Sequence, residues 1–113
     1  MAKKKLPDPL SRRHLLDGEI DPSRVKALGA AYLEAGREIE AIEFLARAED
    51  RESLEALQDA AVERGDVFLM KSASAGLNQE PSADRWRALA AAATAAGRHK
   101  DAETAHRLAA VDG

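Results

Sequence analysis

Apolar residues recur along this chain at three- and four-residue intervals, in segments broken by Gly, Asp-Pro or Asn-Gln-Glu-Pro. Such spacing gathers the apolar side chains on one face of a helix. Asp8 is placed to cap a short helix with Pro9 in its first turn, running through Leu10, Leu15 and Leu16 to stop near Gly18. Asp21-Pro22 repeats that start signal, and Val25, Leu28, Tyr32 and Leu33 follow at helical spacing up to Gly36. A second helix is predicted over Glu38 to Ala48, with Ile39, Ala41, Ile42, Leu45 and Ala46 turned inward. Asp50 can cap a third over Arg51 to Arg64, carrying Leu54, Leu57, Ala61 and Val62 and ended by Gly65. Asp66 can open a fourth with Val67, Phe68, Leu69 and Met70, of which Phe68 fits either a core or an exposed patch. After the polar segment Asn78 to Pro81, Ser82 starts a fifth helix with Trp86, Leu89 and Ala93. Gly97 breaks it, and a sixth runs from His99 to about Val111. Strand-like alternation is absent, so the chain reads as all-α.

These segments also echo one another. Ala27 to Arg37 returns, with small residues in matching places, as Ala88 to Arg98, and the register holds through Ala41 against Ala102 and Ala48 against Ala109. A constant offset of this kind marks stacked helical hairpins. Three hairpins follow, over about 22–48, 51–77 and 82–111, turning at Gly36, Gly65 and Gly97. Gly29 or Ala90, set against Ala41 or Ala102, lets paired helices close on one another, while larger side chains fill the space between hairpins.

The residues Val25, Leu28-Gly29, Tyr32, Ala41, Leu45 and Ala48, with Trp86, Leu89, Ala90, Ala102 and Ala109 in the third hairpin, where Ala93 replaces Tyr and His106 the aromatic, resemble the tetratricopeptide repeat family. The middle hairpin departs most, with Gln58 at the small slot and Met70 at the alanine slot. Its spacings are short as well, 29 residues from Gly36 to Gly65 and 32 from Gly65 to Gly97. The resemblance implies a right-handed stack of three antiparallel hairpins, a TPR-like α-solenoid, forming one domain over 9–113 behind a disordered basic leader at 1–8. It also implies a protein-binding scaffold without catalytic residues or cofactors.

Charge refines that expectation. Residues 1–17 hold five basic and two acidic side chains, leaving twelve and eighteen in the remainder of a chain with net charge −3. An acidic body behind a basic leader is a poor nucleic-acid surface, which needs its bases gathered on one face. No run approaches the length of a membrane span, and no secretory pattern follows Lys3 to Lys5, so a cytoplasmic protein is expected. With no cysteine, disulfide and thiolate chemistry are excluded. Aromatic residues are only 4%, so the core must be assembled mainly from Ala and Leu.

In the repeat family the first helix of each hairpin lines a concave groove. The corresponding slots are Lys26, Ala30, Leu33 and Glu34, then Glu52, Glu55, Asp59 and Glu63, then Arg87, Ala91 and Thr94. The four acids step by three, four and four residues and form one stripe, suited to steering a basic or amphipathic peptide. Ala30 and Ala91 stand where Asn would be needed to clamp a partner's terminal carboxylate, so that mode looks absent. The basic leader could instead occupy the stripe. Two other readings compete: self-assembly into a homodimer or larger array through an open C-terminal hairpin (Ala105, Leu108, Ala109, Val111), and metal binding by His99, Glu103 and His106, which share a helix face. The Lys71-Ser72-Ala73-Ser74 stretch lacks the glycine framework of a phosphate loop.

Overall fold

A computed structural model describes residues 21–111; the basic leader and the helix expected over 9–16 lie outside the described residues. Six helices follow in order: α1 Pro22–Glu34, α2 Glu38–Arg47, α3 Arg51–Arg64, α4 Val67–Leu77, α5 Ala83–Ala95 and α6 His99–Val111. No strand occurs among the described residues. The starts are those written in the sequence. Asp21 accepts a hydrogen bond from the Ser23 amide, Asp66 from Leu69 and Ser82 from Arg85, each satisfying an otherwise orphaned N–H.

The stops share one geometry. Gly36, Glu49, Gly65, Asn78 and Gly97 all have positive φ, between 55° and 76°. In each case the following amide reaches back five residues: Arg37 to Tyr32, Asp50 to Leu45, Asp66 to Ala61, Gln79 to Ser74 and Arg98 to Ala93, at 2.8–3.0 Å. This left-handed cap with a six-to-one bond satisfies the last carbonyls of α1 through α5. Glu49 accepts a conformation that costs a residue with a Cβ about 1–2 kcal/mol.

The caps explain the uneven period. Gly36 to Gly65 and Glu49 to Asn78 are both separated by 29 residues. The step to the third hairpin is longer because five residues carry the chain from Asn78 to the start of α5 at Ala83, where two carry it from Glu49 to α3 at Arg51.

The described residues divide into two compact units, the first ending at Arg51 and the second beginning at Glu52. In the first, α1 packs against α2 as a hairpin around Val25, Tyr32, Ala41, Ile42, Phe44 and Leu45. Tyr32 stacks on Phe44 with ring centroids 5.2 Å apart, and the Arg37 guanidinium lies 5.3 Å from the Tyr32 centroid. The Glu40 carboxylate, 2.6 Å from Arg37 Nε, accepts a hydrogen bond from that guanidinium and pushes its pKa above the ordinary value. Gly29 is buried against Leu45: a Cβ there would lie 2.8 Å from Leu45 Cδ2. The inward face of α2 differs from expectation at two places. Phe44 is fully buried, whereas Ile39, in the first turn, is 40% exposed.

In the second unit α5 packs against α6, and α4 touches α6. Leu57, Ala61, Leu69, Met70, Trp86, Leu89, Ala90, Ala93, Ala105 and Ala109 are buried. The middle hairpin replaces the small-residue contact by a polar one: Gln58 Nε2 donates to Ser74 Oγ at 3.0 Å, both residues being buried. In register, Gly29 and Leu45 of the first hairpin become Gln58 and Ser74, so the large and small members exchange helices. The Gly65 turn packs directly on α5, with Ala93 filling the space a Cβ would need. Phe68 is 65% exposed, and Val111 projects from α6 while Ala105 and Ala109 are covered.

Candidate functional site

Helix α3 carries Glu52, Glu55, Asp59 and Glu63 on its exposed face. The periodicity that turns Leu54, Leu57, Gln58 and Ala61 inward necessarily turns these four outward. Asp59 is not free: its Oδ1 accepts from Arg85 Nη2 on α5 at 2.8 Å. Arg85 Nε is buried without a hydrogen-bond partner, so burial of the side-chain stem is only partly compensated at its head. Between the two helices lies a shallow depression of 430 Å³, lined by Asp59, Val62 and Glu63 of α3 and Asp84, Arg85 and Ala88 of α5. The lining holds three carboxylates and one guanidinium; Asp59 engages Arg85 and Asp84 engages Arg87 just outside, so the depression keeps a net negative charge.

Among the residues expected to form a binding face, Asp59 and Glu63 come together in this depression, with Glu55 and Glu52 following along α3. Arg87 and Ala91 are exposed on α5 but lie outside it, and Arg87 is engaged by Asp84 one turn earlier. In the first unit Lys26, Ala30 and Glu34 are exposed on α1 and Leu33 is half-buried. Arg85 and Asp84 were not anticipated. Asp59 and Arg85 are 26 residues apart, so no local spacing pairs them.

A second concavity, of 530 Å³, opens where α4 ends. Trp86 of α5, Leu108 of α6 and Pro81 form its apolar wall, while Lys71, Ser74, Asn78, Gln79 and Glu80 supply polar groups. Trp86 is 4% exposed, so one edge of an otherwise buried indole closes the cleft. Nothing in the linear sequence singled it out, because its residues come from three helices and a loop.

His99, Glu103 and His106 are all exposed, and no set of three His, Cys, Asp or Glu side chains among the described residues converges as a metal site. No helix among them is long and apolar enough to cross a membrane. The fold and surface define an all-helical hairpin protein. Comparison with known proteins returned no matching family model, curated protein or solved structure.

Proposed function

We propose that this chain is a non-enzymatic adaptor, a TPR-like right-handed stack of three hairpins that holds a basic or amphipathic peptide segment against an acidic face. The observation that carries this reading is the exposed run Glu52, Glu55, Asp59 and Glu63 on α3. Of these four, only Asp59 is partnered by a cation across helices among the described residues, and that pair is itself solvent-exposed. Carboxylates in such a row attract Lys and Arg side chains over several ångströms and set orientation before contact. The partner's own bases would compete with Arg85 for Asp59.

Titration of a lysine- and arginine-rich peptide at low and moderate ionic strength tests the proposal. Charge steering requires that affinity fall as salt rises, because the Debye length shortens to about 8 Å at physiological strength. The double variant Glu55→Lys, Glu63→Lys should bind at least about tenfold more weakly, equivalent to ~1.4 kcal/mol. Binding that ignores both salt and charge reversal would remove the acidic face from the mechanism.

A further inference from the structure

We propose that the 530 Å³ cleft between α4, α5, α6 and the loop after Asn78 is a separate recognition site. It takes one apolar side chain of a peptide segment and hydrogen-bonds the main chain that carries it. This does not rest on the acidic face of α3, with which the cleft shares no residue.

The cleft exists because of the uneven period. The longer connection from Asn78 to Ala83 contributes Asn78, Gln79, Glu80 and Pro81 to its lining. The corresponding connection after Glu49 is too short to do so. Its volume falls within the roughly 300–1,000 Å³ usual for ligand pockets. The apolar wall is held rigidly, since Trp86 and Pro81 are both buried in the unit. An anchor seated on such a wall gains apolar burial without ordering the receptor.

The polar groups decide the kind of occupant. Lys71 and Glu80 carry opposite charges, so the rim is neutral overall and favours neither an anion nor a cation. Asn78 and Gln79 present amides that each donate and accept, as a peptide group does. Ser74, 4% exposed, lines the cleft beside them, with its Oγ already engaged by the Gln58 amide. A neutral dipolar backbone bearing an aliphatic or aromatic side chain matches this set; a fatty acid, a phosphate or a polyamine does not.

Trp86 is the only tryptophan, so its fluorescence reports the cleft directly. The probe is N-acetyl-leucine N-methylamide, with N-acetyl-leucine and leucine N-methylamide as its anionic and cationic counterparts. A ligand of this size should saturate with a Kd on the order of 1 mM, with the neutral probe at least as tight as either charged one. Amide resonances of residues 71–80 and those near Trp86 and Leu108 should move, and those of the α3 acids should not. Ala75, exposed on the cleft wall, offers a block that spares the core: Ala75→Phe should weaken the probe about tenfold or more while leaving the thermal midpoint near that of the parent. The pair Glu55→Lys, Glu63→Lys should leave this titration unchanged, which separates its fate from that of the acidic face. No saturable change in the folded parent, tighter binding of a charged probe, or retention of binding in a folded Ala75→Phe protein would overturn the assignment.

Discussion

Replacing Gly65 by Ala should damage this fold far more than the same change at Gly36 or Gly97, although all three glycines end helices with φ near 70°. An alanine forced into the left-handed region costs about 1–2 kcal/mol, and the stiffer unfolded chain returns about 0.4–1 kcal/mol. At Gly36 and Gly97 nothing lies within 4 Å of the added Cβ, so the net loss is about 1 kcal/mol. At Gly65 the Cβ would sit 2.4 Å from Ala93 Cα, 2.5 Å from its nitrogen and 2.7 Å from its Cβ. Ordinary carbon contacts are about 3.5–4.0 Å, so the α3–α4 turn and α5 must separate by about 1 Å. The obstruction is backbone and has no rotamer through which to yield. Overpacking of this sort adds about 1–3 kcal/mol, which brings the expected loss at Gly65 to about 2–4 kcal/mol. Urea denaturation followed by far-ultraviolet circular dichroism measures all three variants on one scale. If Gly65→Ala falls within about 0.5 kcal/mol of Gly97→Ala, the close approach of the turn to α5 is wrong.

Other substitutions probe separate contacts. Gly29→Ala should lie within about 1 kcal/mol of the parent, because the gain in helix propensity offsets displacement of the flexible end of Leu45, and denaturation decides it. Ser74→Ala strands the buried Gln58 amide and should cost about 1–3 kcal/mol, whereas Gln58→Leu with Ser74→Ala should recover most of that loss in a double-mutant cycle. Tyr32→Ala, which removes a fully buried ring stacked on Phe44, should cost about 3–5 kcal/mol by the same assay. Asp59→Asn should change stability by no more than about 1 kcal/mol, since its pair with Arg85 is exposed on both sides.

Helix positions were legible because their signals are local. An Asp or Ser cap and a glycine after the last turn act within a few residues, and α1, α4 and α5 begin at such caps while α1, α3 and α5 end at such glycines. Asn78 and Glu49 serve the same capping role without being glycine, and only backbone geometry reveals that. The inward face of α2 was less legible. Ile39 and Phe44 are both large and apolar, but the first turn leaves Ile39 at the edge while Phe44 sits against Tyr32 from the other helix. The acidic stripe could be read because it lies on one helix; Arg85, which partners it, and the cleft beside Trp86 could not, because each joins distant segments.

Comparison of equivalent slots shows why the middle hairpin looks degenerate as a string yet keeps the same caps and turn. Where the first hairpin sets Gly29 against Leu45, the second sets Gln58 against Ser74, so bulk moves from one helix to the other and the buried amide is satisfied by the hydroxyl it meets. Where the first hairpin has the Tyr32–Phe44 stack, the second and third have Ala61 with Ala73 and Ala93 with Ala105, all fully buried. The period therefore constrains pairs of residues rather than single positions, since close packing requires that summed volumes fit. A pattern written one position at a time scores Gln58 and Ser74 as two separate departures. The fold treats them as one compensated exchange, and on that basis Gln58→Gly alone should destabilise the protein, by opening a cavity opposite Ser74, despite matching Gly29 at the equivalent slot of the first hairpin.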